Sequence, residues 1–138
     1  MKLQDVLHKL QQMNEQYIAE RIWEDVGRLP DFMAEYAAYH TILMSNYGDF
    51  MEIYRKKLAA VMTEKQDAAT IINENADKPG DKRSQAEIDR RVGIRISNLK
   101  GMREKFEAKV DAGKELVSTM QSKRRAFSDE AKGLTKQE

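Results

Sequence analysis

Apolar residues recur at alternating spacings of three and four along the last third of this chain. Two series, each repeating every seven residues, define the stripe. One reads Val92, Leu99, Phe106, Gly113, Met120 and Phe127, and the other reads Ile96, Arg103, Val110, Val117, Arg124 and Ala131. This pattern is typical of a long amphipathic helix whose apolar stripe packs against another helix.

Two earlier segments show the same helical periodicity. We expect an N-terminal helix over residues 1–28, with an apolar face that includes Leu3, Val6, Leu7, Leu10, Met13, Tyr17 and Ile18. Gly27 and Pro30 interrupt this pattern, and Asp31 is the expected N-cap of a second helix over residues 31–76. In that helix Tyr36, Leu43 and Phe50 are seven residues apart, as are Tyr47, Tyr54, Val61 and Ala68.

Pro79 and Gly80 stand in a polar cluster and predict a loop over residues 77–83. The capping box that begins at Ser84 then starts a third helix over residues 84–132, followed by a tail over residues 133–138. The prediction is one all-α domain over residues 1–138: a long antiparallel helical hairpin with an additional N-terminal helix and coiled-coil-like packing. Because long thin helices bury little core within one chain, we expect homo-oligomers.

Composition argues against several kinds of site. The chain has no cysteine, and its two histidines, His8 and His40, do not form the paired Glu-x-x-His motifs of a carboxylate-bridged metal site. No nucleophile elbow or phosphate-binding glycine loop is present. We therefore expect no enzyme, no catalytic residues, no metal and no cofactor. The N-terminus lacks the apolar core of a signal peptide and no segment could cross a bilayer, so we expect a cytoplasmic protein without membrane contact.

Charge is distributed unevenly along the chain. Residues 1–54 contain four cations and nine acids, whereas residues 78–125 contain fourteen cations and seven acids. Such polarity suits binding to a polyanion, or it can hold the acidic half against the basic half of a neighbouring subunit. Both interpretations remain open at this point.

The cations and aromatics of the second helix add to the polyanion interpretation. Tyr36, Tyr39, Tyr47, Phe50 and Tyr54 precede the triplet Arg55-Lys56-Lys57, and tyrosines beside cations can stack unpaired bases and bind their phosphates. The alternative is that the aromatics are core residues and the cations form a solvated face with pairs at helical spacing, such as Glu87–Arg91. Arg103 and Arg124 occupy seam positions, where a charge snorkels or pairs with an acid and can fix register.

The chain resembles the UvsY family of phage recombination mediators. The resemblance is carried by the size of the chain, its Met-x-Leu-x-Asp start, its apolar-aromatic first half and its lysine-containing second helix. It also includes the polar loop leading into Lys82-Arg83-Ser84-Gln85-Ala86-Glu87 and the ending Gln121-Ser122-Lys123-Arg124-Arg125-Ala126-Phe127 before Glu130-Ala131. It covers most of the chain.

The resemblance implies an all-α, ring-forming, non-enzymatic protein that binds single-stranded DNA. Such a protein helps a RecA-like recombinase displace a single-strand-binding protein in recombination or replication, in the bacterial host cytoplasm if phage-encoded. The family's DNA-contacting stretch would fall on Arg55, Lys56 and Lys57, with Lys65 downstream. Residues 68–72 depart from the basic-aromatic pattern, so we also place part of the DNA surface on Lys82, Arg83, Arg90 and Arg91.

A non-catalytic protein-interaction module remains the alternative. Such a module would be a virion or assembly component, or a phage-encoded inhibitor of a host complex. Its basic helix would dock on an acidic protein surface.

Overall fold

A computed structural model describes residues 1–74 and 81–137, and the side chains of residues 1–67 and 86–133. Three α-helices and a short 3-10 helix make up most of this described part, which contains no β-strand. The helices are α1 (Leu3–Ala19), α2 (Leu29–Glu74) and α3 (Asp81–Gln137), with the 3-10 helix at Ile22–Glu24. The prediction of an all-helical protein with helix–helix packing is confirmed.

Helix α1 ends nine residues before the predicted boundary at residue 28. Arg21 takes a left-handed conformation with φ of 49°, which breaks the helix, and the 3-10 helix follows. The break buries Ile22 and brings the Trp23 ring to 5.3 Å from that of Tyr17. A left-handed residue is most often glycine or asparagine, so the arginine at this position gave no local signal for the turn.

Asp25, and not Asp31, supplies the side-chain cap before α2. Its Oδ1 accepts hydrogen bonds from the backbone N–H groups of Gly27 and Arg28, both at 3.1 Å. Helix α2 then begins at Leu29, two residues before the predicted start, with Pro30 in its first turn. Proline is well tolerated there because the first N–H groups of a helix have no intrahelical partner.

Helix α3 is longer at both ends than predicted. It begins at Asp81, so Ser84 lies inside it, and residues 81–83 of the predicted loop are helical. An aspartate in the first turn is favoured by the helix dipole, which accounts for the earlier start. The helix also includes most of the predicted tail, because no proline interrupts it before Gln137. Residues 77–80 of the predicted loop lie outside the described residues.

The described chain forms two compact units. Unit 1 consists of Met1–Tyr47 with Ala108–Glu138, and unit 2 consists of Gly48–Glu107. Unit 1 has a three-helix core built from the apolar positions that the periodicity picks out. Its buried residues include Val6, Leu10, Met13 and Tyr17 of α1, Leu29, Phe32, Tyr36 and Leu43 of α2, and Val110 and Met120 of α3.

A histidine lies at the packing interface between α2 and α3 in unit 1. His40 is only 4% exposed, and its Nε2–H donates a hydrogen bond of 2.8 Å to the backbone carbonyl of Val110. Gly113 faces the same ring: a Cβ at Gly113 would lie 2.2 Å from His40 Cδ2. Steric hindrance therefore explains why a glycine stands at this seam position: the imidazole occupies the space that a side chain at Gly113 would need.

Unit 2 consists of one segment of α2 packed on one segment of α3. The rings of Phe50 and Phe106 lie 5.3 Å apart, the Arg103 guanidinium lies over the Tyr54 ring, and Glu64 accepts a hydrogen bond from Arg95. Later residues of α2 contact earlier residues of α3, so the two segments run in opposite directions. Tyr54, Val61 and Val92 are buried between them.

We predict that Asp25→Ala lowers the free energy of unfolding by about 1 kcal/mol, because two backbone N–H groups lose their acceptor. Urea denaturation followed by circular dichroism measures the change. Asp31→Ala is the matched control: it removes an exposed first-turn acid that makes no cap, and it should cost less than Asp25→Ala. Equal losses in the two variants would contradict the assignment of the cap.

We predict that Gly113→Ala destabilises the protein by about 1–3 kcal/mol, because the new methyl group overlaps the His40 ring. Gly93→Ala, on the same helix, should instead stabilise by about 0.5–1 kcal/mol, since a Cβ there meets nothing within 4 Å. The two unfolding midpoints should therefore move in opposite directions. A stabilising Gly113→Ala would show that His40 does not occupy this space.

Candidate nucleic-acid interface

All eight predicted nucleic-acid-binding residues belong to unit 2. Six have described side chains, and all six are exposed: Arg55, Lys56, Lys57, Lys65, Arg90 and Arg91. Lys82 and Arg83 lie in the first turn of α3, and their side chains fall outside the described residues. Helices α2 and α3 thus both present cations to solvent within one unit.

The triplet Arg55-Lys56-Lys57 does not form a single patch. Successive residues of an α-helix are rotated by about 100°, so the three side chains are spread over about 200° of the helix surface. Only one of them, Lys57, lies on the side of α2 that carries Glu64, because residues seven apart are nearly aligned. Helix geometry therefore places the three cations of the stretch that the resemblance implied on different sides of α2.

Lys57 is part of a surface to which both helices contribute. On α2, Ile53, Lys57 and Glu64 follow one another at spacings of four and seven. On α3, Arg91, Arg95 and Met102 do the same, and the Arg95–Glu64 hydrogen bond joins the two rows. We call this surface the Lys57 face, and its six residues are Ile53, Lys57, Glu64, Arg91, Arg95 and Met102.

The Lys57 face carries more positive than negative charge. It has three cations, and its one carboxylate, Glu64, pairs with Arg95. A second carboxylate, Glu87, lies just outside the face and pairs with Arg91 at 2.7 Å. No carboxylate among the described residues lies within 4.0 Å of the Lys57 amine. The paired side chains are all more than half exposed. Exposed pairs of this kind are weak, so a phosphate can compete for either arginine.

Two exposed apolar side chains flank these charges. Ile53 is 53% exposed and Met102 is 56% exposed, although both are large hydrophobic residues. Isolated exposed apolar residues are common on protein surfaces. Here, however, they lie on the same side as the cations, which gives the face a mixed apolar and basic character.

Three of the five aromatic residues that precede the triplet pack in the core, as the alternative interpretation held, whereas Tyr39 and Tyr47 are half-buried. Tyr36 and Tyr54 are buried, and Phe50 stacks on Phe106 inside unit 2. Burial raises the pKa of the Tyr36 hydroxyl, and a hydrogen bond with Asn14 opposes that effect. None of these three rings is free to stack on an unpaired base.

Arg103 is a structural residue of unit 2. Its guanidinium lies 5.6 Å from the centre of the Tyr54 ring, and its Nε is buried without a hydrogen-bond partner. The sequence indicated a seam arginine that snorkels or pairs with an acid. The described structure shows an aromatic ring beneath it and no carboxylate within 4.0 Å.

The eight binding residues predicted from the sequence do not include Arg95, Ile53 or Met102. Arg95 follows Arg91 by four residues, so helical periodicity alone places these two cations on one face of α3. The exposure of Ile53 and Met102 was not predicted, because both are apolar residues that lie next to the heptad stripe.

A cleft of about 200 Å³ in unit 1 lies among all three helices. Its polar groups are Gln11, Asn14, Tyr36 and Lys109. No acid is among its lining residues, so they provide no acid–base pair.

Metal-binding clusters and membrane-spanning helices are both absent from the described part of the chain. No group of three or more histidine, aspartate or glutamate side chains in this part of the chain is placed to hold a metal ion. None of its helices has a stretch both long and apolar enough to span a bilayer.

Comparison with known proteins finds no match to this chain among protein-family models, curated proteins or solved structures. The arrangement of residues therefore carries the functional argument.

We predict that Arg103→Met stabilises the protein by about 1 kcal/mol. Leaving a buried N–H without a partner costs about 1–3 kcal/mol, which exceeds the roughly 0.5–1 kcal/mol of a partly exposed cation–π contact. Methionine keeps the aliphatic packing on Tyr54. Arg90→Met, an exposed change on the same helix, should shift the unfolding free energy by less than about 0.5 kcal/mol. A destabilised Arg103→Met would show that the cation–π contact dominates.

Proposed function

We propose that this protein is a non-catalytic accessory factor that binds single-stranded DNA in phage recombination or replication and helps a RecA-like recombinase to load. The Lys57 face is the observation that supports this proposal most directly. It presents three exposed cations from two helices, together with apolar side chains, in one unit. A UvsY-like mediator working in the bacterial cytoplasm, against a single-strand-binding protein, would use such a surface.

Electrostatic contact with the DNA backbone is the proposed mechanism. Each lysine or arginine that neutralises a phosphate releases a condensed counterion, and this release favours binding at low salt. Because Tyr36, Phe50 and Tyr54 pack in the core, these rings would not stack on bases, and binding through phosphates would tolerate any sequence. A flexible single strand can adjust its phosphates to cations on two helices more easily than a stiff duplex can.

Self-association would multiply these contacts. We propose that α2 and α3 form the expected antiparallel hairpin and that several copies assemble into a homo-oligomer. The reversed order of contacts within unit 2 supports the hairpin. Met62 and Ile94, two exposed apolar residues that do not belong to the Lys57 face, support burial between copies. An oligomer would convert modest contacts per subunit into high avidity along one strand.

The second candidate is a helical protein-interaction module, and Ile53 and Met102 favour it specifically. Exposed apolar side chains among charges are typical of a protein-binding surface, where the apolar groups are buried and the charges form the rim. In that case the Lys57 face would dock on an acidic protein surface. Salt-dependent binding to oligonucleotides distinguishes the two candidates.

We predict tight binding of a fluorescent oligothymidine at low salt, measured by anisotropy, with light scattering to give the mass of the complex. The logarithm of the association constant should fall with the logarithm of salt concentration by about 0.7 for each phosphate contacted. Lys57→Gln with Arg91→Gln should weaken binding roughly tenfold, because two cations of the Lys57 face are lost. A duplex of equal length should bind more weakly.

Lys56→Gln with Lys100→Gln is the matched control. It removes two exposed cations from the same unit, but neither belongs to the Lys57 face. Loss of affinity equal to that of the first variant would overturn the assignment of the face. No oligonucleotide binding by the unmodified protein, even at low salt, would overturn the DNA-binding proposal and favour the protein-interaction module.

A further inference from the structure

A second basic feature lies in unit 1, far along α3 from the predicted binding residues. It is a cleft of about 320 Å³ between the C-terminal part of α3 and the beginning of α2. Five residues line it: Met33, Gln121, Arg124, Arg125 and Ser128. Its volume falls at the lower end of the range for small-ligand sites and is enough for one nucleotide-sized group.

Four of the five lining residues lie on one face of α3. Gln121, Arg124, Arg125 and Ser128 follow one another at spacings of three, one and three, which places them along one side of a helix. Two guanidinium groups, a carboxamide and a hydroxyl can all donate hydrogen bonds. The cleft is therefore rich in donors and positively charged, and no carboxylate lines it.

The two arginines have no acidic partner within the described part of the chain. No described carboxylate lies within 4.0 Å of either guanidinium. Asp129 follows Arg125 by four residues, the spacing at which a helical ion pair forms, and yet the pair is not made. The charge of both arginines is thus available to an external anion.

Met33 gives the cleft an apolar wall opposite these donors. It is the one lining residue from α2, and it is half-buried. A ligand that fits this arrangement has an anionic group for the arginines and an apolar part for the methionine. A nucleotide unit has both: the phosphate is the anion, and the sugar or base can contact the thioether.

We propose that this cleft binds a phosphate group of a nucleic-acid strand, with Arg124 and Arg125 as its cationic ligands. The inference rests on the proposed function and adds to it a phosphate-binding site in unit 1, separate from the Lys57 face. Arginine suits this role because its planar fork matches two phosphate oxygens at once. Gln121 and Ser128 donate further hydrogen bonds from the same helix face.

The test compares two double variants of the full chain in oligothymidine binding across a salt series. Arg124→Gln with Arg125→Gln should weaken binding roughly tenfold and reduce the salt slope by about 0.7, the value for one phosphate on a single strand. Lys2→Gln with Lys123→Gln removes the same charge from exposed positions of unit 1 outside the cleft, and it should weaken binding less than about threefold.

The Met33 methyl group gives a local readout by NMR. Its resonance should shift when oligothymidine is added to the unmodified protein and should stay in place in the Arg124→Gln, Arg125→Gln variant. An equal loss of affinity in the two double variants, or an unshifted methyl resonance despite binding, would overturn the assignment of the cleft as a phosphate site. Either result would leave the proposed function intact. Absence of oligothymidine binding in the unmodified protein would overturn the proposed function as well.

Inorganic pyrophosphate serves as the second probe and distinguishes a free ligand from a strand. If pyrophosphate shifts the Met33 methyl resonance and oligothymidine does not, the cleft binds free phosphate compounds, and its assignment to nucleic acid is wrong. If oligothymidine shifts the resonance at lower concentration than pyrophosphate does, the assignment is supported.

Discussion

The packing of α2 on α3 in unit 1 depends on one close contact between a buried histidine and a glycine. The His40 ring fills the position that a side chain at Gly113 would take, and its N–H is satisfied by the Val110 carbonyl. Buried polar groups are costly unless they are hydrogen-bonded, so this ring fixes the register between the two helices at that point. Residues on either side of it, including Leu43 and Met120, are fully buried.

Unit 2 consists of two helical segments, and this limits the apolar surface that it can bury. Only a narrow stripe can be buried between two helical segments, so residues at the edges of the stripe remain partly exposed. Ile53 and Met102 lie at such edges, whereas Tyr54 and Val61 lie at the centre and are covered. The same geometry explains Arg103, whose aliphatic stem lies in the stripe while its guanidinium rests over a tyrosine ring.

Charges that are adjacent in sequence are not adjacent in space on a helix. The triplet Arg55-Lys56-Lys57 is divided among different sides of α2, whereas Lys57 and Arg95, far apart along the chain, belong to one face. In unit 1, Arg124 and Arg125 line one cleft together with Met33 of another helix. A basic surface on a helical protein is therefore defined by spacings of three, four and seven and by the register between helices. The density of lysine and arginine in the sequence does not locate it.

The sequence by itself determined that the protein is all-helical and which positions form the apolar stripes, because both depend on spacings of three and four within one helix. It left open whether the aromatic residues of α2 stack on bases or lie in the core. Only the tertiary structure decided the left-handed turn at Arg21, the cap at Asp25, the space that Gly113 leaves for His40 and the grouping of Lys57 with Arg91 and Arg95. Each of these depends on contacts between segments or on a backbone conformation that the local residue type does not favour, and no periodicity along one chain encodes them.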